Sequence, residues 1–313
     1  MKALREIEVI RRNAQWTARV KGLSGDRTPT TRLGNSRRIV VLVHGYNNDP
    51  EEAGKGYREL RGSLEKLGIR PDINDSIWDL YWPSYIPKGS WGWWREYVGQ
   101  NISRASYPLQ LAKAEQIGIE LARYFERTKA STGSLVQLVF VAHSLGCRLV
   151  LEILKNLGAN TNRVSGICLM AAAVPTSEVE LHGTLRDAAL KPGKRYILYS
   201  PADTVLERAF PLGQAAGTLN SFPEAVGRFG NPRTLWDTGY ETSVNTWLNH
   251  GDYFRGRREL SIAPSSTAPY VARLLGRPTP WELRSHKADL LVWKLPKRQQ
   301  PRSNKPGSYK SSL

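Results

Sequence analysis

The chain has 313 residues, 40% of them hydrophobic, with 27 glycines, 19 prolines, two cysteines and a formal net charge of +17. That length and apolar content suit one α/β domain with a sizeable core, while two cysteines exclude a disulfide framework and the lack of an internal period excludes solenoids and propellers. No helix-turn-helix, zinc-finger or aromatic ribonucleoprotein signature accompanies the positive charge, so nucleic acid is not an expected partner, and no run approaches the roughly 18 consecutive apolar residues of a membrane span.

From Met1 to Arg38 ten Lys/Arg stand against Glu6, Glu8 and Asp26. Leu4, Ile7, Ile10 and Ala14 keep a helical period, so residues 1–37 are expected to form a basic amphipathic helix and a loop, SGDRTPTTRLGNS. This start lacks an uninterrupted apolar core and does not read as a secretion signal. Together with two cysteines that look buried, it points to a soluble, cytoplasmic protein.

Arg38 to His44, RIVVLVH, is the strongest strand, a β-branched run suited to a sheet covered on both faces. A helix at 51–67 follows, with Tyr57, Leu60, Leu64 and Leu67 on one side, and Ile77 to Trp82 reads as the next strand. Trp78, Trp82, Trp91, Trp93 and Trp94 are half of the ten tryptophans. The segment 83–107 is expected to be a lid or cap insertion, with Trp82, Trp91, Trp93 and Trp94 as flat apolar walls of a substrate pocket.

A patterned helix at 108–127 leads to the strand Leu138 to Ala142, and a further helix starts at Leu145. Val164 to Ala171, Arg195 to Ser200 and a short Thr234 to Asp237 complete the strands. The main domain is placed at 38–295. From Lys294 onward six Lys/Arg occur with no acid, which makes 296–313 a basic, disordered tail. Both basic ends can contact anionic surfaces, although charge runs are more often simply solvated.

Strands separated by helical stretches imply a mainly parallel sheet with helices on both faces, and ligands then bind beyond the carboxyl ends of the strands. Ser144 stands at such an end, in Ala142-His143-Ser144-Leu145-Gly146, between strand and helix. This is the setting of the nucleophile elbow G-x-S-x-G with alanine in place of the first glycine. A serine hydroxyl needs a base, and the base a carboxylate. In the chain order serine, acid, histidine, the acids that follow a strand are Asp203, in SPADTVL, and Asp237, the alternate. Of the later histidines, His250 in NHGDYF lies in a glycine-containing loop after the last strand. Glu207 lies one turn beyond the strand, His182 breaks the order, and little chain follows His286.

These residues resemble the esterase/lipase-like α/β-hydrolases, and particularly a bacterial group of uncharacterised function with an HGYN signature. The matching residues are His44-Gly45-Tyr46-Asn47-Asn48, AHSLG at 142–146, SPADTVL and NHGDYF, over about 38–254. The resemblance implies acyl transfer to water through Ser144, His250 and Asp203, with the backbone N–H groups of Tyr46 and Leu145 as oxyanion hole. Little chain precedes residue 38, so the sheet is expected to lack the first two strands of the full fold. His44 is expected beside the oxyanion loop, its ring bonded to backbone, and His143 as a wall of the pocket.

Five scattered histidines offer no metal-ligand spacing, and no phosphate or dinucleotide loop follows a strand. The expected substrate is therefore a small-molecule or lipid carboxylic ester, cleaved without metal or cofactor. The same three side chains would serve a thioesterase or acyltransferase. A non-catalytic protein that binds an acidic partner on a hydrolase scaffold is the alternative of a different class.

Overall fold

The most apolar stretches of the chain form the middle of the sheet. The computed structural model describes residues 5–12, 14–20, 37–69, 75–84, 94–128, 134–158, 163–215, 223–230, 241–255 and 267–277. Strand β3 (Arg38–Val43) lies parallel to β5 (Gln137–His143), with Arg38 opposite Gln137 and Val43 opposite Ala142. Ile39 to Val43 and Leu138 to Ala142 are all buried. Successive strand residues point to opposite faces, so burial of every one means that both faces of the sheet are covered.

On one side of this pair the sheet continues through β6 (Val164–Met170), β7 (Lys194–Tyr199) and β8 (Glu241–Asn245). On the other it continues through β4 (Asp75–Tyr81), β1 (Arg5–Arg12) and β2 (Gln15–Val20). The order is β2-β1-β4-β3-β5-β6-β7-β8, eight strands in all. Every neighbouring pair is parallel except β1 with β2.

Helix α1 (Pro50–Lys66) begins at a capping box. The Asp49 carboxylate accepts from the N–H groups of Glu51 and Glu52 at 3.0 and 2.9 Å, and Pro50 occupies the first turn, where its missing N–H costs nothing. The helix packs on α8 (Asp252–Arg255) and α9 (Ala268–Leu274). Helix α2 (Trp94–Arg127) packs along α3 (Leu145–Asn156). A Cβ at Gly118 would come within 2.6 Å of the Glu152 Cβ, so the absence of a side chain lets the two helices approach.

Arg148 of α3, 6% exposed, lies under that contact. It bonds Glu152 at 2.9 Å, Glu178 of α4 (Thr176–Val179) at 2.8 Å and Glu115 of α2 at 3.2 Å. A buried cation is tolerated because these carboxylates surround it. Among the described residues no helix is long and apolar enough to cross a membrane.

The amino-terminal stretch departs from expectation. It is an antiparallel hairpin, not an amphipathic helix, and it supplies β1 and β2, so the sheet is not shortened. The reason is a coincidence of periods. Ile7 and Val9 alternate with Glu6 and Glu8, and Ile7 and Val9 are buried at 0 and 4% exposure while the two glutamates are half-buried. That is a strand pattern of period two. Ile7 and Ile10 also happen to satisfy a helical spacing, but Ala14 lies in the turn, at φ 64°. The hairpin is part of the same sheet; the expected loop at 24–36 lies outside the described residues.

Helix α2 also begins earlier than the expected residue 108, at Trp94, and carries Pro108 in its interior. The last strand lies at 241–245; the expected strand at 234–237 is outside the described residues. The compact unit spans Met1–Arg277; residues 278–313, with the expected tail at 296–313, lie outside the described residues.

Candidate active site

β5 ends at His143 and α3 begins at Leu145, which leaves one residue for the turn. Ser144 takes it at φ 54° and ψ −125°, a conformation that a residue with a Cβ adopts only under constraint. The constraint is visible. Its N–H donates to the Met170 carbonyl at 2.9 Å, and its carbonyl accepts from the N–H groups of Cys147 at 3.0 Å and Ala173 at 3.2 Å.

The two small positions of the turn differ in what they require. Ala142 is a β5 residue paired with Val43 and Leu169, where a methyl packs in the core. A Cβ at Gly146 would stand 2.4 Å from the His44 carbonyl oxygen and 3.0 Å from that of Val43. The glycine this turn needs is therefore the second one, and alanine at the first is compatible with the geometry.

Asp203 follows β7 in a turn closed by its own N–H to the Ser200 carbonyl at 3.1 Å. Its side chain is fully buried. Oδ1 accepts from the Leu206 N–H at 2.9 Å, capping a π-helical turn at Val205–Ala209. Oδ2 lies 2.8 Å from His250 Nδ1. The carboxylate thus caps a helical turn and meets the histidine at once.

His250 sits in the loop between β8 and α8, and its Nε2 is 2.9 Å from Ser144 Oγ. With Nδ1–H donating to the carboxylate, Nε2 offers its lone pair to the serine hydroxyl. Three residues separated by 59 and 47 positions of chain meet at the carboxyl ends of β5, β7 and β8. The other candidates do not join them. Glu207 pairs with Arg228 at 2.8 Å, His182 is exposed at a φ of 70°, and Asp237 and His286 lie outside the described residues.

The loop after β3 lies directly against the serine, because a Cβ at Gly45 would come within 2.8 Å of the Ser144 Cβ. Tyr46 follows it, with its ring 6.1 Å from that of Tyr107 in an edge contact. Leu145 is the first residue of α3, where backbone N–H groups have no intrahelical acceptor. His44, expected beside this loop, and Trp82, expected as a pocket wall, are each 2% exposed and support the loop from beneath. The Trp82 indole donates to the His44 carbonyl at 2.9 Å, and its backbone N–H donates to His44 Nε2 at 3.2 Å. His44 Nδ1 lies 2.9 Å from the Gly45 carbonyl, and the Ser84 hydroxyl donates to the same carbonyl at 2.8 Å. Ser84, three residues beyond β4, stands where sequence reasoning looks for ligand-binding residues, but no local pattern assigns it this supporting role. Trp91 and Trp93 lie outside the described residues, and Trp94 is the first residue of α2.

Burial lowers the His44 pKa to about 4. Burial, and secondarily the neighbouring His250, lowers that of His143 to about 3. Unfolded, each titrates near 6.5, so below about pH 6.5 the unfolded chain takes up protons that the folded chain refuses. Their contribution to stability is complete above that pH and drains away on acidification, at ~1.4 kcal/mol per pH unit for each group. Replacing His143 with glutamine is therefore expected to lessen the stability lost between about pH 6.5 and about pH 5 by ~2 kcal/mol, read from urea midpoints. Equal losses in the two proteins would contradict a buried, neutral His143.

The mainly parallel eight-stranded sheet, with the serine in a one-residue turn between β5 and α3, has the strand–turn–helix nucleophile elbow of the α/β-hydrolase fold. Within it, a family model described as serine hydrolase matches residues 94–205, roughly the central third of the chain, which takes in α2, the Ser144 turn and Asp203. Among solved structures, lipase B of Aspergillus fumigatus is similar at 13% identity over 81% of this chain and 56% of that one, with a TM-score of 0.40. The chain thus spans little more than half of that lipase. The Pyrococcus furiosus esterase Pf2001 is similar at 12% identity over 78% of this chain and 84% of that one, TM-score 0.34. Carboxyl esterase 2 of Tuber melanosporum follows at 14% identity over 78% of each chain, TM-score 0.34. No curated protein matches.

Proposed function

We propose that the protein is a serine hydrolase of carboxylic esters, with Ser144 as nucleophile, His250 as general base and acid, and Asp203 as the carboxylate that orients the imidazole. The observation that carries this reading is the unbroken chain of contacts from hydroxyl to imidazole to buried carboxylate, at 2.9 and 2.8 Å. Ser144 Oγ attacks the ester carbonyl carbon as its proton passes to His250 Nε2, and Asp203 stabilises the imidazolium. The carbonyl oxygen becomes an oxyanion facing the N–H groups of Tyr46 and Leu145. Its collapse breaks the C–O bond, and the departing alkoxide takes the proton from Nε2. Water, deprotonated by His250, then attacks the acyl-enzyme, and the acid leaves with Ser144 restored.

The substrate is a small-molecule or lipid ester; of the expected lid or cap at 83–107, residues 85–93 lie outside the described residues and 94–107 belong to α2. Two free, buried cysteines, Cys147 and Cys168, support a reducing, cytoplasmic setting. The test is hydrolysis of p-nitrophenyl esters of graded acyl length. The wild type is expected to turn them over, and Ser144→Ala and His250→Ala to lose at least about a thousandfold in kcat. The length profile separates esterase from lipase. A wild type with no more activity than Ser144→Ala, beside binding to an acidic partner that weakens steeply with salt, would favour the non-catalytic reading.

A further inference from the structure

His143 is nearly fully buried, 8% exposed, and the mechanism above does not use it. Adjacent side chains of a strand point to opposite faces, and its ring extends toward the loop that carries His250. Its Nε2 lies 2.6 Å from the main-chain carbonyl oxygen of His250. Its ring centroid is 4.9 Å from the His250 ring, 5.9 Å from Tyr253 and 5.8 Å from Phe254. We propose that His143 is a positioning residue: its Nε2–H, donating to the His250 carbonyl, fixes the backbone of the histidine loop so that the His250 ring is aimed at Ser144. The inference rests on the ester-hydrolase reading of the same site.

The loop's own hydrogen bonds are short-range. Trp247 N–H reaches Asn245 Oδ1 at 3.2 Å, Leu248 N–H reaches Thr246 Oγ1 at 3.3 Å, and Asn249 Nδ2 reaches Asp252 Oδ2 at 3.1 Å. Such bonds shape the loop without relating it to the serine. The base of the loop is moored by Thr246, whose hydroxyl donates to the Tyr199 carbonyl at 3.1 Å. The bond from His143 is different, because it joins the residue immediately before the nucleophile to the residue that carries the base. Serine and imidazole are thus held to one rigid strand end, and a displacement of the loop by about 1 Å can cost a hundredfold in rate.

The chemistry of the side chain fits the task. A neutral imidazole has one N–H and one lone pair. The N–H must be at Nε2 to meet a carbonyl, while Nδ1 faces Gly45, where a Cβ would approach it to 3.1 Å. The ring must also stay neutral, since a cation this close would oppose formation of the His250 imidazolium. Burial keeps it so, with a pKa near 3. Phenylalanine would fill the volume without donating, whereas glutamine could restore an amide donor of similar reach.

The experiment compares His143→Phe and His143→Gln with wild type by kcat and KM on a p-nitrophenyl ester, and by the rate of fluorophosphonate labelling of Ser144, with folding checked by circular dichroism. His143→Phe is expected to lose about ten- to a hundredfold in kcat with KM within about threefold, to be labelled correspondingly more slowly, and His143→Gln to regain most of both. A folded His143→Phe whose kcat and labelling rate stay within about twofold of wild type overturns the proposal, whatever its thermal stability. Should neither variant fold, nitrogen-15 NMR of the wild type decides: the Nε2–H tautomer at neutral pH supports the tether and the Nδ1–H tautomer overturns it. A folded wild type that takes no label removes the hydrolase reading and the tether with it. A labelled wild type with an unimpaired His143→Phe overturns the tether alone.

Discussion

Replacing Asp203 with asparagine is expected to lower kcat by about ten-thousandfold, the size of the effect in the serine-protease triad, while leaving the protein folded. The fold should survive because the amide keeps an oxygen for the Leu206 N–H, which Asp203 Oδ1 accepts at 2.9 Å, and because the change in volume is small. The activity should not survive, because the amide nitrogen would donate where Oδ2 now accepts from His250 Nδ1 at 2.8 Å. The imidazole would then carry its proton on Nε2, the atom 2.9 Å from Ser144 Oγ, and could no longer take one from the hydroxyl. Steady-state kinetics on an activated ester, with circular dichroism beside them, provide the measurement. A loss below about tenfold would show that this carboxylate does not govern the tautomer of His250.

The second large effect is expected at Gly146. A Cβ there would meet the His44 carbonyl oxygen at 2.4 Å and that of Val43 at 3.0 Å, and both are main-chain atoms of the central strand and the loop after it. Neither can swing aside as a side-chain tip would. Gly146→Ala must push the start of α3 away from that loop, at a cost of about 1–3 kcal/mol or more, as for overpacking elsewhere. The same shift separates the N–H groups of Leu145 and Tyr46 that would face the oxyanion. The variant is therefore expected both to unfold at lower urea and to lose about a hundredfold in kcat where it remains folded. Wild-type stability and activity would contradict the close approach at this turn. Ala142→Gly, by contrast, removes a core methyl and is expected to cost about 1 kcal/mol with little effect on kcat.

Much of this site is legible in the sequence because its parts follow strands. LVFVA announces a buried strand, LGCRLVLEIL a helix, and the serine between them has one geometry available. Asp203 and His250 each lie in a loop that follows a strand, in the required order, so their meeting could be expected although 106 positions separate His250 from Ser144.

The amino-terminal hairpin was harder to read, because Ile7 and Ile10 satisfy a helical spacing in the same stretch where Glu6, Ile7, Glu8 and Val9 alternate. β8 was obscure for another reason. ETSVN is polar for a strand, and at the edge of the sheet, with a neighbour on one side only, it needs little apolar character. The links of His143 to the His250 carbonyl, and of Arg148 to Glu115 and Glu178, join residues 107, 33 and 30 positions apart. No local pattern encodes such contacts; they exist only once the sheet has brought the loops together.

The most direct test of the account is where a fluorophosphonate attaches, read by peptide mass spectrometry on folded protein. A single adduct on Ser144 is predicted, absent in Ser144→Ala and strongly slowed in His250→Ala. No adduct on folded wild type, or one on a different serine, would contradict it.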